Sequence, residues 1–329
     1  MVLRCTNLIS QRKITISGSK SISNRLLILQ SIFPNITIKN LSTSDDTRHM
    51  SDALKSSSNK INIRHAGTAM RFLTSFFSVK KNSIVDIYGS KRMHKRPISI
   101  LVKSLKKIGA KIEYLENSGF PPLRITGHKL QSKKLRIDSS ISSQFISSLL
   151  LISPKIEGGL EIEMTAKDTS LPYIEMTIDL LKKIGVLVTY HKNIISVNQK
   201  EKINAIEITV EPDWSSASYF YSIVSLADIG YSLELTHFNS YSIQGDKRLS
   251  EIFELFGVKT TFLDESVLVE KIGEAEQIIN LDLSANPDLA QTIAVTCLAL
   301  KMSCKLIGLH TLKIKETDRI IALENEIKK

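Results

Sequence analysis

Residues 179–190 read DLLKKIGVLVTY, an amphipathic helix pattern that ends at Gly185 and is followed by an alternating strand pattern. The same helix pattern occurs as KSLKKIGA at residues 103–110 and as EIFELFGV at residues 251–258, so the closing glycines lie 76 and 72 residues apart. Glycine can adopt the left-handed backbone conformation that ends a helix. A period of this length predicts a fold built from repeated units of helices and short strands.

A second class of predicted helix recurs with the same period. Its members begin at positions separated by 75, 73 and 72 residues, near Thr68, Ser143, Ser216 and Asp288. A shorter first unit begins at Ser19 and continues with a helix after Asp45. Most of these helix starts carry Ser, Thr or Gly, residues that cap a helix and leave backbone N–H groups accessible. Simple helix caps and anion sites are both compatible with these starts.

The composition excludes several classes of protein. The chain has 329 residues, 42% hydrophobic and 23% charged, which is typical of a globular protein of two domains and excludes disorder. Its apolar stretches are shorter than the roughly 20 residues that cross a bilayer, and no secretory signal is evident. We therefore expect a cytoplasmic protein with no membrane partner. Cys5, Cys297 and Cys304 lack the spacing of a zinc or redox site, so we expect free thiols.

The net charge of +11 indicates an anionic partner, which could be a nucleic acid or a small substrate. The lysines are scattered along the chain rather than clustered beside aromatic residues, and no nucleic-acid-binding motif is present. We therefore expect no nucleic-acid partner and favour a small anionic substrate.

The segment GSKSISNR at residues 18–25 is predicted to be a strand-to-helix turn. Such a turn suits a phosphate group, because backbone N–H groups and the positive end of the helix dipole face the anion while Lys20 and Arg25 neutralise it. The spacing excludes a Walker loop. A capped helix with surface charge explains this segment alone equally well.

Five further segments place small, polar or charged residues near predicted helix starts. An Ala-Gly-Thr corner at Gly67 would let a ligand approach the backbone closely, and two arginines in the loop at residues 90–97 could clamp a carboxylate or phosphate. The others are the Ser142-Ser143-Gln144 helix start, Asp288 after Pro287, and KETDR at residues 315–319. For Asp288 and Glu316 taken singly, a helix cap or an ion pair is a better interpretation than acid–base catalysis.

Together these segments resemble the 5-enolpyruvylshikimate-3-phosphate synthase family, the 3-phosphoshikimate 1-carboxyvinyltransferases of aromatic amino-acid biosynthesis. The matching strings follow the family order through the whole chain: GSKSISNR at 18–25, AGTAMR at 66–71, RMHKRP at 92–97, SSQF at 142–145, YIEMT at 173–177, SSASYF at 215–220, QGD at 244–246, PDLAQTIA at 287–294 and KETDR at 315–319. A sister family acts on UDP-N-acetylglucosamine and shares the repeat, but GSKSISNR and KETDR fit the shikimate branch better.

The resemblance implies an α/β fold of two domains built from βαβαββ units, the inside-out α/β barrel of the enolpyruvyl transferases. Residues 14–210 would form a complete three-unit domain. Residues 1–13 and 211–329 would form a second domain that lacks its last unit, with hinges near residues 11–14 and 211–214. The repeat places the next helix-closing glycine at about position 329 to 333, so we expect a C-terminal portion to be missing.

The resemblance also implies a reaction: the enolpyruvyl group of phosphoenolpyruvate is transferred to the 5-hydroxyl of shikimate 3-phosphate, and phosphate is released. No metal or organic cofactor would be required, and the protein would be a monomer. Shikimate 3-phosphate would contact Lys20, Ser21, Arg25, Ser142, Ser143, Gln144, Ser170, Tyr173, Asp288 and Lys315. Phosphoenolpyruvate would contact Lys20, Gly67, Arg92, Gln144 and Arg319. Asp288 would be the base at the 5-hydroxyl, and Glu316 with Lys20 would transfer the other protons.

Some positions depart from the family pattern. His65 and Thr311 stand where the family often has asparagine, and a later Asp-His-Arg motif and a final lysine have no counterpart. The alternative to an active transferase is therefore a catalytically impaired remnant that only binds phosphorylated polyols. Gly67, rather than alanine, implies room for the phosphonate glyphosate.

Overall fold

The computed structural model describes residues 9–138, 142–165 and 170–329, so Cys5 lies outside the described residues. The helices are α1 (Lys20–Ile32), α2 (Asp45–Lys55), α3 (Gly67–Val79), α4 (Ser99–Lys107), α5 (Ser143–Ile152), α6 (Leu171–Lys183), α7 (Trp214–Ser225), α8 (Leu249–Ile252), α9 (Ala290–Ala299) and α10 (Arg319–Ile327). The strands are β1 (Arg12–Thr15), β2 (Ile36–Lys39), β3 (Lys60–Asn62), β4 (Ile84–Tyr88), β5 (Lys111–Tyr114), β6 (Leu123–Thr126), β7 (Lys134–Ile137), β8 (Leu160–Met164), β9 (Val188–His191), β10 (Ile194–Val197), β11 (Ile206–Thr209), β12 (Ser232–Thr236), β13 (Val258–Phe262), β14 (Ser266–Lys271), β15 (Ile278–Asp282) and β16 (Ser303–Ile307).

Three four-stranded sheets share one topology. Their strand orders are β3-β4-β6-β5, β7-β8-β10-β9 and β1-β12-β14-β13. In each sheet the first two strands are parallel and the remaining pairs are antiparallel. The chain order β3-α3-β4-α4-β5-β6, repeated as β7-α5-β8-α6-β9-β10, confirms the predicted βαβαββ unit. Two further parallel pairs are β2 with β11 and β15 with β16.

The predicted glycine helix ends are confirmed. Gly109, Gly185 and Gly257 have φ angles of 101°, 80° and 71°, and β5, β9 and β13 follow them. The third of these helices is shorter than its pattern indicates, because α8 is followed by a 3-10 turn, Phe253–Phe256. A 3-10 turn brings residues i and i+3 into line, and the rings of Phe253 and Phe256 stack with centroids 4.7 Å apart in the core.

By packing, the chain divides into two compact units. The first unit comprises Gly18–Val210 and His310–Ala322, and the second comprises the described part of Met1–Ser17, with Glu211–Leu309 and Leu323–Lys329. The expected domains, residues 14–210 and residues 1–13 with 211–329, stay a prediction; the compact unit that contains residues 18–210 also contains residues 310–322. Residues of this segment accept hydrogen bonds from Arg92 and Arg96.

Small hydroxyl residues line the helix contacts of the first unit. Thr74, Ser75, Ser147, Ser148 and Thr177 are fully buried. Several satisfy their hydroxyls on the preceding helical turn, as Thr74 does with the Met70 carbonyl at 2.7 Å, while Ser75 and Ser148 bond across α3 and α5 at 3.1 Å. Short side chains let the helices approach closely, and the bonded hydroxyls avoid the cost of unpaired buried groups.

The longest helices, α1, α3 and α6, have 13 residues each. In the described part of the chain, no helix combines the length and the apolar composition that a membrane span requires.

Candidate active site

Four helices of the first unit bring their N-terminal turns together. The Arg25 guanidinium in the second turn of α1 bonds Ser147 of α5 and Thr177 of α6, and lies 5.4 Å from the Phe72 ring of α3. Ser75, three residues after Phe72 in α3, also bonds Ser148, the residue after Ser147 in α5. The N-terminal turns of the four helices therefore meet, and their predicted substrate-binding starts lie at one end of the first unit. Backbone N–H groups and positive dipole ends converge there, as an anion site requires.

Arg25 is held by protein groups on three helices. Its Nε donates to Thr177 Oγ1 at 2.7 Å, its Nη1 to the Ser21 carbonyl at 2.8 Å, and its Nη2 to Ser147 Oγ at 3.1 Å and the Tyr173 carbonyl at 2.9 Å. Burial lowers the pKa of Arg25 to about 10, although a contact with Tyr173 opposes that shift. The sequence predicted a substrate contact, and the structure adds that Arg25 joins α1, α5 and α6.

The starts of α5 and α6 use different local chemistry. At α5, Ser142 is the N-cap, and its hydroxyl accepts the Gln144 N–H at 3.3 Å. Ser143 is buried in the first turn, and Gln144 is half-buried. At α6, Ser170 has left-handed backbone angles, φ 60° and ψ 40°, and its carbonyl accepts the Tyr173 N–H. This sharp turn directs the chain into α6, so the predicted phosphate contacts occupy two neighbouring helix starts.

The Ala-Gly-Thr corner lies at the start of α3, beside two buried arginines. Arg71 donates from Nη1 to the Gly67 carbonyl at 2.9 Å and from Nη2 to the Pro97 carbonyl at 3.4 Å. Arg96 lies against Gly67 itself: a Cβ built on Gly67 would be 2.7 Å from Arg96 Cζ. A Cβ at this position would therefore displace the guanidinium that approaches from the neighbouring loop.

The KETDR segment lies against this corner. Glu316 Oε1 accepts from Arg96 Nη1 at 2.9 Å, Glu316 Oε2 accepts from Arg319 Nη2 at 3.1 Å, and the Lys315 carbonyl accepts from Arg92 Nη2 at 3.2 Å. Burial alone would raise the pKa of Glu316. The positive charge of Arg96, a backbone hydrogen bond and the charges of Arg319 and Lys315 instead lower this pKa to about 2.

Every predicted site residue except one belongs to the first unit. The exception is Asp288, which belongs to the second unit and lies in the 3-10 turn Pro287–Leu289. Its carbonyl accepts from Gln291 Nε2 at 2.9 Å. Trp214, which the sequence placed at a hinge, lies at the start of α7 and packs edge-on against Phe238 in the core of the second unit.

Asp288 has a carboxylate neighbour to which the sequence analysis assigned no role. Asp246 is almost fully buried and accepts hydrogen bonds from Ser215 and from Asn286 Nδ2, the latter at 3.1 Å. Burial raises the pKa of Asp246 to about 6, and the negative charge of Asp288 adds to the shift. In the sequence, Asp246 was visible only as part of QGD at residues 244–246, one of the strings that resemble the family. That string does not show that Asp246 is buried.

Arg71 and Arg96 are also site residues without a predicted individual role. Both were visible as arginines beside helix starts, but nothing in the local pattern distinguishes a buried guanidinium from a solvated one. The described residues contain no group of three or more His, Cys, Asp or Glu side chains arranged to hold a metal ion. A cavity of about 430 Å³ beside α4 has Val102, Lys106, Tyr114 and Phe120 among its lining residues and includes no predicted site residue.

A family model and several known proteins match most of this chain. The family model described as EPSP synthase (3-phosphoshikimate 1-carboxyvinyltransferase) matches residues 9–58 and 56–329. A 3-phosphoshikimate 1-carboxyvinyltransferase of Bacteroides fragilis is 42% identical over 323 residues, which cover 97% of this chain and 78% of that protein. The enzyme of the same name from Sulfurovum is 36% identical over 348 residues, with 96% and 80% covered.

A solved EPSP synthase structure from Acinetobacter baumannii aligns with a TM-score of 0.76 over 97% of this chain and 78% of that one, and its 21% identity shows a shared fold. A second structure from the same organism aligns with a TM-score of 0.62. The long match to the family model and the identity to relatives establish that the chain belongs to the EPSP synthase family.

Proposed function

We propose that this protein transfers the enolpyruvyl group of phosphoenolpyruvate to the 5-hydroxyl of shikimate 3-phosphate and releases phosphate. The observation that carries the proposal is the convergence of four helix N-termini with Lys20, Arg92, Lys315, Glu316 and Arg319 at one end of the first unit. A relative that is 42% identical over 323 residues is named 3-phosphoshikimate 1-carboxyvinyltransferase.

In this proposal, the starts of α1, α5 and α6 bind the phosphate of shikimate 3-phosphate. Lys20 and Ser21 begin α1, Ser142, Ser143 and Gln144 begin α5, and Ser170 and Tyr173 flank the start of α6. Backbone N–H groups and hydroxyls supply directed donors, and Lys20 supplies charge. Arg25 adds charge beneath this surface and sets the spacing of the three helix starts. Lys315 is proposed to contact the ring hydroxyls.

Phosphoenolpyruvate is proposed to bind where the corner at Gly67 meets the cations of the adjacent loop and of residues 315–319. Arg92, Arg319, Lys20 and Gln144 would offset its negative charge and hold it beside the second anionic substrate. Bringing two anions together costs electrostatic energy, so several fixed cations are needed before any reaction occurs.

Two carboxylates and a lysine are proposed to move the protons. Asp288 removes the proton of the 5-hydroxyl as that oxygen attacks C2 of phosphoenolpyruvate, and Glu316 with Lys20 delivers a proton to C3. Removal of a C3 proton and departure of phosphate then form the enol ether. Each step needs a group that changes protonation within reach of the reacting atom. None of these steps calls for a metal or an organic cofactor.

The test is phosphate release by the purified protein with both substrates and with each alone. We expect release only with both, and we expect Lys20→Met to lower kcat by about 100-fold or more, the range typical of a lost proton-transfer group. Lys107→Met, at an exposed position at the end of α4, is the matched control and should leave kcat unchanged. A folded wild-type protein that released no phosphate above background would refute the proposal.

We further propose that the protein acts as a monomer in the cytoplasm. Light scattering at assay concentration tests the first part, and a mass of twice the 36.8 kDa chain would contradict it.

A further inference from the structure

Arg96 occupies an unusual position for an arginine. Its side chain is only 5% exposed, and its guanidinium lies against Gly67 at the start of α3. The first residues of a 13-residue helix carry the positive end of its dipole, so this place disfavours a cation. Something negative must compensate a guanidinium that is buried there.

A second guanidinium increases the demand for an anion. Arg71 is also buried, and its Nε is among the buried polar atoms without a hydrogen-bond partner in the described structure. Burial lowers the pKa of Arg71 to about 9, and the like charge of Arg96 contributes. The charges of Glu316 and Asp46 oppose this shift. Two cations and a helix N-terminus therefore share one small region.

Glu316 supplies the compensating charge from a distant part of the chain. Its Oε1 lies 2.9 Å from Arg96 Nη1, and its side chain is 39% exposed, so the carboxylate reaches a buried cation from the surface. The charged groups that face Glu316 are Arg96, Arg319, Lys315 and, more remotely, Arg71. Four cationic groups, Arg96, Arg71, Arg319 and Lys315, and two carboxylates, Glu316 and Asp46, act on one another here, and this positive excess favours a further or a stronger anion.

We propose that Arg96 is a positioning residue that exchanges its guanidinium between Glu316 and the phosphoenolpyruvate anion, so that anion binding and release of Glu316 are one event. This inference rests on the proposed function. Glu316 clamped by arginine is a poor proton carrier near neutral pH, because its protonated form is almost absent. Once Arg96 turns to the substrate, the carboxylate loses its main stabilising charge and its pKa rises toward the operating pH.

Equilibrium binding tests the exchange without turnover. Phosphoenolpyruvate and, separately, inorganic phosphate are titrated calorimetrically into the protein in the absence of shikimate 3-phosphate. Glu316→Gln removes the internal competitor, so both anions should bind about tenfold more tightly, the equivalent of one charged hydrogen bond. Arg96→Gln should weaken both by about tenfold or more, and Arg96→Lys should lie between the two.

The double variant decides whether the two residues act through each other. In an Arg96→Gln background, Glu316→Gln should bring no gain, because there is no longer a guanidinium to set free. Arg124→Gln is the matched control, since it breaks the Arg124–Asp86 ion pair of the same unit, in which Arg124 is 46% exposed. It should leave both affinities unchanged.

The inference is overturned if Glu316→Gln binds these anions equally or less tightly than the wild type, or if its gain persists without Arg96. If Arg96→Gln does not fold, as judged by circular dichroism, the same comparison in the Arg96→Lys background decides. In the Arg96→Lys background, the gain in anion affinity from Glu316→Gln should be smaller than in the wild type. A gain as large as in the wild type would refute the exchange. An affinity gain in Glu316→Gln with no phosphate release by the wild type would reject the proposed function and keep the anion exchange.

Discussion

At the scale of single residues, Arg25 is expected to matter for stability as well as for binding. Its four hydrogen bonds to Ser21, Ser147, Tyr173 and Thr177 require the planar guanidinium fork. Arg25→Lys keeps the charge and loses most of these bonds, so the free energy of unfolding should fall by about 3 kcal/mol. Urea unfolding followed by far-UV circular dichroism measures this change.

The control for this variant is Arg136→Lys. Arg136 is 71% exposed and pairs with Glu163 at 3.3 Å, so its replacement should change stability by less than about 0.5 kcal/mol. If Arg25→Lys were as stable as this control, the residue would serve only as a ligand contact.

Asp246 is expected to make stability depend on pH. Its pKa is raised from 3.8 to about 6 in the folded protein, so between these values the folded state binds more protons than the unfolded state. Stability from this group is therefore present below pH 4 and is lost as the pH rises toward 6, by about 3 kcal/mol. Asp246→Asn should remove most of this dependence, as measured by urea unfolding at pH 4.5 and pH 7.

Asp228→Asn, at an exposed carboxylate of the same unit, provides the comparison for Asp246→Asn. It should retain the wild-type difference between the two pH values. Equal pH dependence in wild type and Asp246→Asn would show that Asp246 is ionised throughout this range.

Single residues also show which features of the site could not be predicted from the sequence. The polar segments at residues 18–25, 142–144 and 315–319 were recognisable because their chemistry is local. The partners were not: Arg96 and Glu316 are 220 positions apart, and only the fold brings them to 2.9 Å. Burial of a charged residue depends on its surroundings in three dimensions, which no local pattern encodes.

At the scale of elements, the repeated glycine helix ends carry a measurable cost of substitution. Gly185 has φ 80°, and a Cβ there would meet only Lys200 Nζ at 3.8 Å, so space is available and the backbone conformation is the constraint. Gly185→Ala should lower the free energy of unfolding by about 1 kcal/mol. Thermal or urea unfolding measures this loss.

Gly273→Ala separates the backbone effect from the loss of a glycine as such. A Cβ at Gly273 meets nothing within 4 Å, and its φ lies outside the left-handed range. This variant should be as stable as the wild type within about 0.5 kcal/mol. A loss equal to that of Gly185→Ala would refute the conformational explanation.

Elements with strong local signals were predicted well, and their ends less so. KETDR was expected near a helix start, and α10 begins at its last residue, Arg319, because Asp318 Oδ1 accepts the N–H groups of Ile320 and Ile321 and so caps the helix. This start leaves Glu316 outside the helix and able to reach Arg96. The 3-10 turn after α8 was likewise not predicted, since the repeat pattern shows a regular helix there and does not show that Phe253 and Phe256 stack in the core.

At the scale of the whole molecule, each of the two units has its own core, so we expect unfolding in more than one step. Trp214, the only tryptophan in the sequence, is buried in the second unit beside Phe238. Its fluorescence should therefore follow the second unit alone, whereas far-UV circular dichroism follows both. Urea transitions from the two probes should not coincide. Superimposable curves would indicate a single cooperative unit.

The repeat predicts a division of the chain near residue 210, but it does not predict which unit residues 310–322 pack with. The compact units of the structure divide between residues 210 and 211. Residues 310–322 pack with the first unit because their lysine carbonyl and glutamate meet arginines of the loop at residues 92–96. A periodicity argument assigns each residue to the repeat that contains it, so it does not show contacts of a segment with another repeat.

The meeting of the N-terminal turns of α1, α3, α5 and α6 has a consequence for how the protein is handled. Helix ends of like sign lie side by side, each equivalent to roughly half a positive charge, and the unfolded chain has no such arrangement. Any multivalent anion that settles there favours the folded state by mass action. The choice of storage buffer therefore affects the result. The melting temperature should be higher in phosphate or sulfate than in chloride at equal ionic strength. A protein prepared in phosphate or sulfate will start with an anion already in the site.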